Sequence, residues 1–165
     1  MVVGILRYFT RNSEVFDIMA ENVEAKKAEK KTIPVEEGLF TLPDAPGGFH
    51  LIGGKCKVCA AVTFPARKRC VKCYSPNVEQ IALSPKGKIA TWTAINMKPL
   101  GYKDKVPYIL AEVYLPEDIN VRSQITGVDP AKPDLKIGDQ VEAVLEHIYV
   151  DDNGNDVVCY KYKKI

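Results

Sequence analysis

The sequence predicts a mainly β chain in three parts: an N-terminal helix, a small metal-stapled ribbon and a C-terminal five-stranded barrel. Three observations carry this reading. Two Cys-x-x-Cys pairs, Cys56–Cys59 and Cys70–Cys73, stand ten residues apart. Before them, Val15, Ile18, Met19 and Val23 form one apolar stripe at helical spacing. After them, apolar residues alternate with period two in five runs separated by turn residues. The divisions fall at 1–48 for the helix and linker, 49–80 for the ribbon and 81–165 for the barrel.

Composition bounds the rest. At 165 residues, 46% hydrophobic and 27% charged, the chain is long enough to bury a core. No apolar run is long enough to span a membrane, so no membrane partner is expected. Five cysteines without a secretion signal lead to a reducing, cytoplasmic setting.

In the first part, Asn12 or Ser13 caps the helix, and the run from Glu24 to Lys31 ends it. The apolar stripe has to be buried, either on its own domain or on another chain. Thr32 to Gly48 is a linker punctuated by Pro34, Gly38, Pro43, Pro46, Gly47 and Gly48. Within it, Leu39, Phe40 and Leu42 predict an extended segment that docks onto a surface.

In the ribbon, Leu51 and Ile52 lead into the first cysteine knuckle. Each knuckle delivers two sulfurs from one side, and two knuckles close a tetrahedral four-sulfur shell. The metal ligands expected are Cys56, Cys59, Cys70 and Cys73. Disulfides would suit a small secreted domain, which nothing else here suggests. A rubredoxin-type iron site usually has Gly after the second Cys of each knuckle; Ala60 and Tyr74 stand there, which favours Zn²⁺. Six cations and no acid lie from Lys55 to Tyr74. A four-thiolate zinc centre carries two negative charges, so some positive charge is left over for an anion or an acidic surface.

The barrel strands are expected at Gly87–Met97, Val106–Leu115, Ile119–Thr126, Gln140–Val150 and Val157–Tyr162. In the first, Ile89, Thr91, Thr93 and Ile95 fall on one face. Asp152-Asn153-Gly154-Asn155 turns the last hairpin. Asp129 predicts an Asx turn, and Gly138 a positive φ before the fourth strand. Five strands suggest the OB arrangement.

This ordered set of motifs resembles a known family. It comprises Cys56-x-x-Cys59, Phe64-Pro65-x-Arg67-x-x-Cys70-x-x-Cys73 and Gly87-Lys-Ile-Ala-Thr-Trp-Thr93, then Val106-Pro107-Tyr108, Gly127-Val128-Asp129-Pro130 and Ile137-Gly138. The chain is similar, from Phe49 to Lys163, to the zinc-ribbon/OB-fold proteins associated with acyl-CoA enzymes, domain of unknown function thirty-five. The resemblance implies a rubredoxin-like zinc ribbon and a non-catalytic subunit of a heteromeric thiolase-type enzyme. Such a subunit would stabilise the complex and assist acyl-CoA binding, in a setting such as anaerobic toluene degradation. The alternative it implies is a scaffold bridging a thiolase and a hydroxymethylglutaryl-CoA synthase. The CoA thioester would be held mainly by the partner.

Residue chemistry agrees with a non-catalytic role. A closed Cys₄ shell has no open position for a substrate. Cys159 sits in an alternating strand and reads as a buried small hydrophobe; His50 and His147 read as structural. The rim loop Met97 to Lys105 offers Lys98, Tyr102, Lys103 and Lys105 as candidate CoA contacts, with a solvated loop the equal alternative. A nucleic-acid-binding protein is the reading from another class. Ribbons and OB folds both do that work, and Trp92, Tyr108, Tyr114, Tyr149, Tyr160 and Tyr162 are available to stack. The net charge of only +2 argues against it.

Overall fold

Alternation of apolar and polar side chains from Lys86 onward gives each strand one face to bury, and five such faces bury one another by closing into a barrel. The computed structural model describes residues 31–102 and 104–165; Lys103 and the helix expected within residues 1–32 lie outside them. The strands are β1 (Thr32–Pro34), β2 (Ile52–Cys56), β3 (Val62–Thr63), β4 (Val78–Ala82) and β5 (Lys86–Ile95). Then come β6 (Tyr108–Leu115), β7 (Ile119–Thr126), β8 (Gln140–Val150) and β9 (Asp156–Lys164).

The barrel runs β9-β7-β6-β5-β8 and closes where β8 pairs with β9, the OB order. The seam between β7 and β9 is parallel and short, with Ile125 opposite Tyr162 and Thr126 opposite Lys163. Inside lie Ile109, Ala111, Val113 and Leu115 of β6, Val121 and Ile125 of β7, Val141 and Ala143 of β8, and Tyr162 of β9. Two strands depart from simple alternation, β8 with a register shift between His147 and Tyr149 and β5 upstream of it. In β5 the register shifts between Ile89 and Thr91, so Ala90 is an extra residue. Ile89 points inward before this bulge, and Trp92 packs on the core after it. Thr91 and Thr93 are exposed, not on the face of Ile89 as strict alternation predicts. Just upstream, Gly87 lies against β6. A Cβ there would meet Val113 Cγ1 at 2.6 Å and the Tyr114 carbonyl oxygen at 2.7 Å.

The ribbon sheet has β2 between β3 and β4. Three short strands cannot enclose a core, and the ribbon shares the barrel's. Phe40, Leu51 and Leu83 are buried in one cluster with Ile89, Val113 and Tyr162. Phe40 bridges Leu51, and Leu39 and Leu42 pack beside it, which is the docking expected of that segment. Tyr160 meets Phe40 and Phe64 edge-on, at 5.9 and 5.7 Å between ring centroids. Burial pushes its phenol up to about 12, and its hydroxyl donates to the Arg122 carbonyl at 3.2 Å. The link from ribbon to barrel is clamped: the amide and hydroxyl of Ser84 both donate to Glu117 Oε1 at 2.7 Å. Ahead of the ribbon, β1 extends β9 in parallel, from Thr32 opposite Asp156.

The loop between β5 and β6 is braced at its base. The Tyr102 amide donates to the Pro99 carbonyl at 3.1 Å, with Gly101 at φ 79°, a turn that lifts Leu100 into solvent. The Tyr102 ring stacks on Tyr108 at 4.9 Å, and its hydroxyl accepts from Gln124 Nε2 at 2.6 Å. Lys161, with a side chain 12% exposed, sits between Asp104 and Glu146 at 3.1 Å from each. Thr126 Oγ1 donates to Glu146. Burial raises the Asp104 carboxyl, but the Lys105 amide and the Lys161 ammonium outweigh it and leave it below its ordinary value. Burial likewise lowers Lys161, and Asp104 with Glu146 outweigh it and leave it above.

Two outcomes follow from this packing. Gly87→Ala should cost about 2 kcal/mol, since the obstacle includes a backbone carbonyl, read from the denaturant midpoint. Lys161→Met leaves two carboxylates facing each other and should cost about 2 kcal/mol at pH 7. The lowered Asp104 contributes stability above the ordinary carboxyl range and loses it as pH falls through its folded value. The raised Lys161 contributes below the ordinary lysine range and loses it as pH rises through its folded value. The difference between wild type and variant, followed by unfolding from pH 7 to 3, should therefore shrink below about pH 4.

Candidate metal centre and rim loop

Two tight turns build the metal centre. In the first knuckle the Ala60 amide donates to the Cys56 carbonyl at 2.9 Å; in the second the Tyr74 amide donates to the Cys70 carbonyl at 3.1 Å. Ala60 has φ 58° and Tyr74 φ 59°. Both positions take the left-handed conformation for which Gly is usual, so the knuckle geometry is kept with other residues in place. The turns free amides for the sulfurs. Val58 N–H points at Cys56 Sγ (3.4 Å), Lys72 N–H and Cys73 N–H at Cys70 Sγ (3.3 and 3.5 Å).

All four sulfurs lie within 4.8 Å of one another, and all are free thiols. Cys56 and Cys73 are 3.5 Å apart, as are Cys59 and Cys70. A tetrahedron with metal–sulfur bonds near 2.3 Å has edges of about 3.8 Å, so the set fits one ion such as Zn²⁺. Charge says the same. The Cys59 amide holds the Cys56 thiol below its ordinary range, and the Cys73 and Lys72 amides bring Cys70 down to about 6. At Cys73 the Ser75 amide pulls down, but burial and the three neighbouring sulfurs win and push it up to about 12. Four thiolates this close repel, and a cation among them removes the conflict.

The other expected residues are spread over the fold. Lys98 and Lys105 are exposed on either side of the Pro99–Tyr102 turn, and the Tyr102 hydroxyl is engaged by Gln124. Lys103 lies outside the described residues. His50 Nδ1 meets Thr41 Oγ1 at 3.1 Å, and His147 Nε2 meets Asp156 at 3.3 Å on the last hairpin. Cys159 is half-buried, and burial raises its thiol. It lines a groove of about 200 Å³ with Tyr102, Leu110 and Lys161. The aromatics proposed for stacking have other engagements: Tyr162 is buried, Tyr160 packs on the ribbon, and the Tyr114 hydroxyl donates to Asp118 at 2.6 Å. On the outer face of β6 and β7, Arg122 is paired with Glu112 at 2.7 Å. The brace of Asp104, Lys161 and Glu146 had no signal in the sequence, because its members are far apart in the chain and each reads alone as a surface charge. Among the described residues, no helix is long and apolar enough to cross a membrane.

The comparisons with known proteins agree with this architecture. Residues 48–79 match the family described as ChsH2, rubredoxin-like zinc ribbon domain, and residues 80–146 that described as ChsH2, C-terminal OB-fold domain. The chain is 40% identical to a DUF35 domain-containing scaffold protein of Methanocaldococcus jannaschii, over 70% of this chain and 80% of the relative. It is 31% identical to the benzoylsuccinyl-CoA thiolase subunit BbsA of Geobacter metallireducens, over 88% of this chain and 97% of the relative. Among solved structures, the chain superposes on one described as Ltp2-ChsH2(DUF35) aldolase with a TM-score of 0.56. Identity there is 18%, with 70% of this chain and 84% of that one covered, a likeness of fold. From its ribbon, its barrel and these relatives, the chain belongs to the DUF35 family.

Proposed function

We propose that the chain is a non-catalytic, zinc-stapled subunit of a thiolase-type enzyme that steadies the complex and assists acyl-CoA binding. One observation carries the reading: the likeness to the thiolase subunit BbsA of Geobacter metallireducens spans 97% of that subunit. The 88% of this chain it takes in exceeds what residues 32–165 alone supply, so the likeness reaches into the stretch before Thr32. In this reading residues 1–48 dock the partner, 49–80 are the ribbon and 81–165 the barrel. Cys56, Cys59, Cys70 and Cys73 would hold Zn²⁺, which supplies a cross-link and charge balance. Four protein sulfurs leave no position for a substrate, which supports a structural role for the ion.

Lys98, Tyr102, Lys103 and Lys105 are the proposed CoA contacts. The turn and its base brace hold Lys98 and Lys105 in solvent, where cations meet the phosphates of a thioester bound mainly by the partner. We propose a setting in anaerobic aromatic (toluene) degradation, of which the aromatic acyl-CoA part is supported by the name benzoylsuccinyl-CoA thiolase that two relatives carry. A scaffold role is the second reading, supported by the higher identity, 38–40%, to three archaeal proteins named as scaffolds.

Affinity-tagged full-length chain, expressed in its native cells, should co-purify with a thiolase-type subunit in fixed stoichiometry. Recovery of a synthase together with the thiolase would select the scaffold reading, and a chain that stays alone would count against both. Metal analysis should return one zinc per chain and no iron. Cys70→Ser should lose the ion and lower the unfolding midpoint, an effect that a chelator reproduces in wild type and that acid promotes by protonating the thiolates.

A further inference from the structure

Given a partner enzyme as proposed above, we infer that the metal end of the ribbon is a second docking surface beside residues 1–48, built from Val58, Val71 and Tyr74 with the exposed cations Arg67, Lys68, Arg69 and Lys72 close to them in the chain. The occupant is a protein surface with an apolar depression rimmed by aspartate and glutamate. The three side chains are 64%, 52% and 74% exposed. Val58 lies between Cys56 and Cys59, Val71 between Cys70 and Cys73, and Tyr74 follows directly. The sulfurs of both knuckles gather within 4.8 Å, so the three share one end of the ribbon. The knuckles take the amides of Val58 and Tyr74, not their side chains, so the metal centre does not require apolar residues there. Tyr74 adopts φ 59°, where a residue other than Gly costs roughly 1 kcal/mol. Three large side chains left in water each forgo about 1.5–3 kcal/mol that burial would return.

The charge around them fits one kind of partner. Arg67, Lys68, Arg69 and Lys72 are exposed. Lys57 is engaged by Glu79 at 3.2 Å, and a four-thiolate zinc centre balances two more cations. The surplus is positive, so exposed apolar side chains lie close in the chain to unpaired positive charge, a combination suited to a protein–protein contact. A nucleic acid would be met by stacked aromatic rings; two of the three residues here are valine, which gains little from bases or phosphates.

The test uses full-length chain and the thiolase-type subunit recovered with it, with affinity measured at two salt concentrations. Val58→Ser/Tyr74→Asn, in which asparagine tolerates the left-handed backbone, should bind about 30-fold more weakly. Lys68→Glu/Lys72→Glu should bind about 10-fold more weakly at low salt and show a shallower salt dependence than wild type. Ile137→Ser, a substitution at an exposed apolar residue of the barrel, should bind as wild type does. Zinc content confirms that each variant keeps its ribbon; if the apolar pair loses metal, the charge pair decides. Wild-type affinity in both variants overturns this docking surface and leaves the subunit reading standing. A wild-type chain that binds no thiolase-type subunit overturns both. Loss of single-stranded oligonucleotide binding in the charge variant, with partner affinity unmoved, overturns the docking surface and gives this end of the ribbon to nucleic acid.

Discussion

Four thiolates cannot be held within 4.8 Å of one another by a chain this slight unless something positive sits among them. The ribbon's three strands carry two, five and five residues, too few to bury a core. A metal held by the four sulfurs would fix the two knuckles face to face on one side, as the barrel does on the other. Amides turned toward Cys56 and Cys70 lower their thiols in advance, so part of the electrostatic cost of assembling the centre is offset by the backbone. The price is conformational: Ala60 and Tyr74 must take left-handed φ values.

The second dependence runs from ribbon to barrel. Phe40, Leu51 and Leu83 belong to the same buried cluster as the barrel interior. Tyr160 serves both, with Phe40 and Phe64 against its edges and its hydroxyl on β7. Glu117, from the hairpin between β6 and β7, holds the link at Ser84. These contacts make the ribbon a rigid projection of the barrel, so a contact made at the cysteine end is transmitted as position rather than absorbed by a loose linker.

Much of this was legible in the chain. The five barrel strands appear within a few residues of where alternation puts them, because each has one apolar face and is bounded by turn residues such as Asn153-Gly154. The docked segment at Phe40 and the Asx turn at Asp129, where its carboxylate accepts from the Ala131 amide at 2.9 Å, follow from equally local chemistry. The bulge at Ala90 does not. It arises where β5 leaves β8 for a long pairing with β6, and nothing local distinguishes Ala90 from its neighbours. The brace around Lys161 escaped for the same reason: its partners are 57 and 15 positions away in the chain, and only the closed barrel brings them together.

Strand β9 bonds to β1, β7 and β8, so it is the member that completes the barrel. On a ribosome the cysteines emerge long before it does. Until then the barrel is four unclosed strands, and Phe40 lacks its contact with Tyr160. Only when residues 156–164 are free to pair can β9 close the barrel and Tyr160 pack against Phe40, so the ribbon's seat on the barrel depends on the part of this fold that is made last.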